Sequence, residues 1–268
     1  MITTLTTLID RLDRGAVAED VLSWGCPVPA FGDLANSKIA TLGINPSNRE
    51  FVDAAGNELD GAQRRFPTLN SLGLASWSHT HATHLESIID SCRSYFFRNP
   101  YNSWFQRLDY VIADAGASYY CASSAACHLD LIPYATGRKW TELPYRQKSE
   151  LLAAAGDTLG LLLYESRVQL LVLNGRSVIE GFQELAGVRL AAEEITAWNL
   201  SRNSVDHVKG IAYSGIIDTL SGIPLGRSIQ VLGFNHNLQS SFGVTKEVMK
   251  SIREWVSSAA QEDTSETT

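Results

Sequence analysis

Residues 38–51 read KIATLGINPSNREF, and the way this stretch is punctuated decides the fold. Ile39, Ala40, Thr41 and Leu42 make the kind of unbroken run carried by strands that are covered on both faces. Gly43, Asn45, Pro46 and Ser47 then end it abruptly. A buried parallel strand that stops in a polar turn delivers that turn to the carboxyl edge of the sheet, where open α/β sheets hold their ligands.

Three later segments repeat the pattern. Residues 125–134 (AACHLDLIPY), 168–175 (VQLLVLNG) and 228–234 (SIQVLGF) are apolar runs that stop at polar or breaker residues. Helical spacing lies between them, at 84–115 with a break at Asn99-Pro100, at 143–163 after Pro144, and at 176–185. Amphipathic helices are expected at both ends, over 2–21 with a break near Gly15 and over 244–257. Residues 195–200 and 208–217 read as short paired strands around SRNSVD, a plain hairpin, with a role for Arg202, Asn203 and His207 in shaping substrate access as the other reading. The expectation is an α/β protein: one three-layer α/β/α domain over 1–257 with a central, mainly parallel four-stranded sheet, then a disordered polar tail at 258–268.

Composition narrows the function. At 268 residues and 44% hydrophobic the chain can bury a full core, and it has no apolar run near the roughly 18 residues of a membrane helix. The early acids and bases of MITTLTTLIDRLDRG do not suit a signal peptide, so a cytoplasmic protein, likewise without membrane attachment, is expected. Cys26, Cys92, Cys121 and Cys127 contain no CxxC pair, and SHTHATH at 78–84 offers three histidines without a carboxylate at ligand spacing. No cofactor is expected, and the SHTHATH stretch reads as a helix start capped by Ser78 or Thr80. A net charge of −7 opposes non-specific coating of DNA but leaves room for a local basic face, to which Arg64, Arg65, Arg93, Arg98 and Arg107 contribute.

GINPS at 43–47 resembles the first motif of the uracil-DNA glycosylase superfamily, closest to the GINPG of its mismatch-specific uracil/thymine branch. The resemblance implies that Asn45 holds the attacking water, with Ile44 beside the base and Ser47 near the DNA. It also implies an aromatic shortly after the motif that stacks on an extruded base: Phe66, with Phe51 as competitor and the core as the other place for either ring. Arg64 and Arg65 would then contact phosphate. NHNLQS at 235–240 lies without a gap on the superfamily's last motif, NPSGLS, matching only at its ends. By that resemblance Asn235 or His236 assists the departing base, Asn237 and Ser240 touch DNA, and Leu238 or Gln239 wedges into the stack.

The strand at 125–134 departs from the pattern. Where the superfamily places an Asn that reads uracil, this chain has Asp130. An ionised carboxylate only accepts hydrogen bonds, which suits the N4 amino group of cytosine and opposes the O4 of uracil. The other reading of Asp130 is a cap for the loop at 134–137. The resulting expectation is a monomeric, monofunctional DNA glycosylase that flips out and removes a modified cytosine, with hypermodified phage DNA and antiviral defence as one setting. Repair of uracil or mismatched thymine is the runner-up, and an inactive nucleotide- or nucleic-acid-binding module is the rival. No protein partner is required for any of these.

Overall fold

The computed structural model describes residues 1–15, 17, 19–99, 102–201 and 207–265. In chain order the helices are α1 (Ile2–Asp13), α2 (Leu69–Leu72), α3 (Ala82–Arg93), α4 (Tyr95–Arg98), α5 (Ser103–Ile112), α6 (Tyr145–Ala155), α7 (Thr158–Tyr164), α8 (Arg176–Ala186) and α9 (Lys246–Ser265). The strands are β1 (Ile39–Gly43), β2 (Ala126–Asp130), β3 (Leu170–Asn174), β4 (Ala191–Glu194), β5 (Leu200–Ser201), β6 (His207–Val208), β7 (Ile211–Leu220) and β8 (Ile223–Phe234).

The main sheet has six strands in the order β2-β1-β3-β8-β7-β4. Its first four strands are parallel and are the four read from the apolar runs, while β7 and β4 add antiparallel strands on the far side. The sheet is therefore wider than the expected four strands. The added pair follows from a tight turn: Ser221 and Gly222 both have positive φ (51° and 79°), the geometry of a two-residue hairpin, and fold β7 onto β8. Residues 208–217 thus pair mainly with β8, whereas 195–200 is largely a turn; only Leu200–Ser201 meets His207–Val208 in a separate two-stranded ladder. Arg202 and Asn203 lie outside the described residues, as does the His207 side chain.

Every residue of β1, β2 and β3 is buried, so these strands are covered on both faces and their apolar composition is explained. The outer edge of β2 is closed by the approach segment. Phe31 and His128 exchange backbone hydrogen bonds of 2.8 and 2.9 Å, and Val28 donates to Pro133 at 2.7 Å, which removes an open sheet edge. Registers bring the strand ends level: Gly43 pairs with Asp130, Leu42 with Leu173, and Asn174 with Phe234. The residues that leave this row are those of GINPS, the Asn174-Gly175 turn and NHNLQS.

Two local expectations change. The helix at 143–163 breaks at Gly156, whose φ of 43° ends α6 before α7 begins. At the other end α9 continues through Ser265, beyond the expected start of a disordered tail at 258. Ser257 donates to the carbonyl of Asp114, and the Ala259 carbonyl accepts from Gln230 at 2.9 Å, so the helix stays docked past that point. Among the described residues, no helix is long and apolar enough to cross a membrane.

Candidate functional site at the carboxyl edge of the sheet

The turns after all four parallel strands line one cavity of about 1000 Å³. Ile44, Asn45 and Ser47 come from the turn after β1, Asp130 from the end of β2, Gly175 and Arg176 from the β3–α8 turn, and Asn235, Asn237 and Ser240 from the loop after β8. Phe31, Trp104 and Phe105 supply an aromatic wall.

Asn45 is held by its amide nitrogen, which donates to the carbonyl of Pro46 and to Thr136 Oγ1, both at 3.0 Å. Thr136 in turn donates to the Arg138 carbonyl at 2.7 Å, so the Asn45 amide is fixed. Among the described residues no group donates to its Oδ1, which is therefore available to accept from a water in the cavity. Ser47 accepts from the Arg49 backbone at 3.2 Å and starts the single turn at Asn48–Glu50.

That turn brings in a carboxylate the sequence reading did not single out. Glu50 is buried against the cavity, accepts from Arg65 at 3.3 Å through both oxygens, and accepts from the Tyr95 hydroxyl at 2.9 Å. Asn102 donates to the same hydroxyl at 3.2 Å. Burial raises the pKa of Glu50 above its ordinary 4.5; Arg65 and Tyr95 oppose the rise, and Asp130 adds to it. An acid whose folded pKa is raised contributes full stability below its unfolded value and loses it as pH climbs through the elevated one. We therefore expect Glu50→Gln to gain thermal stability relative to the parent as pH rises from 4.5 toward neutrality; parallel melting curves check the sign.

Asp130 is 6% exposed and faces the cavity, with His128 Nε2 3.4 Å from its Oδ1. Residues two apart on a strand share a face, so His128 and Asp130 project together from β2. Gly43 on the neighbouring strand makes room for them. A Cβ there would sit well inside van der Waals contact of Asp130 Oδ1 and 2.9 Å from His128 Nε2.

Several assigned residues sit elsewhere. Phe66 is 1% exposed and packs in an aromatic cluster, stacked on Tyr95 at 5.4 Å and edge-on to Phe31; it does not line the cavity, and Phe51 is equally buried. Arg64 is also outside the cavity wall, ion-paired with Asp60, whereas Arg65 lines it but spends its charge on Glu50. In the last motif Asn235 reaches the cavity, yet its amide is occupied: Oδ1 accepts from Ile211 N at 2.9 Å and Nδ2 donates to the Lys209 carbonyl at 2.8 Å. His236 turns into the protein, 2% exposed, with Nε2 2.7 Å from the Trp198 carbonyl; burial lowers its pKa. Leu238 is fully buried, and Gln239 bridges Asn174 (2.8 Å) and the Trp104 carbonyl (2.9 Å), so neither projects as a wedge. Asn237 does face the cavity. Its Oδ1 accepts from the backbones of Gln239 (3.1 Å) and Ser240 (3.0 Å), and among the described residues its Nδ2 has no protein acceptor. The SHTHATH helix is capped at His81, whose backbone donates to His84 Nδ1 at 3.1 Å, in place of Ser78 or Thr80.

The cavity wall carries Arg49, Arg65, Arg98, Lys139 and Arg176 against Glu50 and Asp130, a positive excess in a chain of net charge −7. Two of these cations spend their hydrogen bonds on neutral carbonyls: Arg49 on Asp53, and Arg98 on Arg64, Arg65 and Ser91. Their charge is left for a ligand. Among the described residues no group of three or more His, Cys, Asp or Glu side chains could hold a metal ion. No protein-family model matches the chain. No curated protein matches it in sequence either.

Proposed function

We propose that the chain is a DNA glycosylase of uracil-DNA glycosylase type, built on that superfamily's three-layer core. It takes a flipped nucleotide into the cavity and hydrolyses its glycosidic bond, with modified cytosine as the target. The observation that carries this reading is the convergence of Asn45, Asp130 and Asn237, from the ends of three different parallel strands, on one cavity with a basic wall. A basic wall suits a phosphate backbone, and a cavity this size accepts a base with a substituent.

In this mechanism the bond loosens toward an oxocarbenium sugar, and Asn45 Oδ1 orients a water toward its cationic carbon. Little nucleophilic push is needed, so a neutral amide suffices. Asp130 accepts from the amino group of the base, and the Trp104–Phe105 wall takes the stacking role first assigned to Phe66. Asn237 Nδ2, free of protein acceptors among the described residues, donates to the base oxygen as negative charge develops there, in place of Asn235 or His236. The wedge is reassigned as well. Phe242 follows the cavity-lining Ser240 and Ser241 in sequence and is 74% exposed, a large ring left in solvent. Phe242→Ala is expected to slow excision from duplex DNA and spare single-stranded substrates, which need no stack opened; equal losses on both would remove the wedge role.

Among the described residues Lys139 is the one lysine on the cavity wall, and it is exposed. Hydrolysis without a Schiff base is expected, so borohydride should trap no protein–DNA adduct; an adduct lost in Lys139→Ala would contradict this. The function itself is tested by alkaline cleavage of oligonucleotides carrying uracil, mismatched thymine or C5-modified cytosines. Strand breaks at the modified cytosines support the proposal. Breaks at uracil alone would return the protein to conventional repair, and binding without breaks would make it a non-catalytic module.

A further inference from the structure

Behind Asp130 a line of buried polar groups runs into the core. The Tyr119 hydroxyl lies 2.5 Å from Thr41 Oγ1, Thr41 Oγ1 lies 2.6 Å from His128 Nδ1, and His128 Nε2 faces Asp130 Oδ1 at 3.4 Å. Thr41, His128 and Tyr119 are at most 4% exposed. Each hydroxyl has one proton, and if Thr41 accepted from both neighbours its own proton would be buried with no acceptor among the described residues, so the line points one of two ways.

The direction follows from what each end requires. Thr41 is the only hydrogen-bond partner of the Tyr119 hydroxyl among the described residues, and burial keeps that phenol protonated. If Thr41 donated to Tyr119, the phenolic proton would be buried without an acceptor among the described residues, which is costly. Tyr119 therefore donates to Thr41, and Thr41 donates to His128 Nδ1. The imidazole must then carry its proton on Nε2, turned toward Asp130. The opposite tautomer would aim a lone pair at a carboxylate. Trp104 and Phe105, both 5.2 Å away and near perpendicular, and Phe31 at 5.7 Å hold the ring between them.

We infer that His128 is a positioning residue whose tautomer is set by Thr41 and Tyr119, and that it fixes Asp130 as an acceptor-only reader of an amino-bearing base edge. Oδ1 is turned to the histidine, which leaves Oδ2 to accept from the ligand. A keto oxygen presented there meets only lone pairs. The selectivity half of this inference rests on the proposed glycosylase activity, while the tautomer half does not.

The test uses the full chain and two conservative variants, Thr41→Val and Tyr119→Phe. Nitrogen-15 spectra of the imidazole report the tautomer without any substrate. The expected parent spectrum is neutral with the proton on Nε2, and the Thr41→Val spectrum should show Nδ1 released from its donor. An Nδ1-protonated or doubly protonated ring in the parent would overturn the inference whatever the activity. In excision assays both variants should lose about tenfold in the ratio of kcat/KM for cytosine-type over uracil-type substrates, the worth of one buried hydrogen bond. A spectrum as expected with that ratio unchanged would overturn the selectivity role. The expected spectrum with no excision of any base by the parent would instead overturn the glycosylase reading and, with it, the selectivity half.

Discussion

Asn45→Ala should lower base excision by at least about 100-fold while leaving DNA affinity within about twofold of the parent. Its amide nitrogen is tied to Pro46 and Thr136, and the remaining oxygen faces the cavity, so the side chain offers the ligand one oriented acceptor. Removing it leaves the arginines of the cavity wall in place, and in the proposed complex these would carry the affinity. Single-turnover excision beside a binding titration separates the two quantities. A variant that cleaves at the parent's rate would show that Asn45 merely holds the loop.

Gly43→Ala should be as damaging to excision by a different route, and should also cost about 1–3 kcal/mol of stability. The added methyl would overlap Asp130 Oδ1 and press on His128 Nε2. The backbone cannot yield easily, because Gly43 is paired with Asp130 in parallel register and β1 is held on its other side by β3. Asp130 would have to swing away from the reading position. The double variant Gly43→Ala/Asp130→Ala gives a clean control: it should regain part of the lost stability and none of the lost excision. Denaturant midpoints and excision rates on the same preparations check both halves.

The four parallel strands were legible because each is an apolar run stopped by a breaker, and the same punctuation placed Asn45 and Asp130 at the cavity. His128 could have been found too, since a strand's two-residue period puts it on the face of Asp130. Glu50 was hidden because its approach depends on the short turn capped by Ser47 and on Arg65 and Tyr95, 15 and 45 residues away. Phe66 was misplaced because an aromatic after a loop looks the same whether it meets a ligand or Phe31, Phe51 and Tyr95. In the last motif the partners of Asn235 and His236 are Ile211, Lys209 and Trp198, 24 to 38 residues back. Their separate approach decides which side chains turn inward, and local polarity carries no trace of it.

The proposed function requires one cavity to receive an extruded nucleotide between Asn45 and Asp130. A crystal structure of Asn45→Ala bound to a duplex bearing a modified cytosine tests it most directly. In that complex the cytosine should lie out of the helix, with its amino group on Asp130, its ring against Trp104 and Phe105, and its sugar carbon facing the space left by Asn45. A base still stacked in the duplex, or DNA bound to another face, would contradict it.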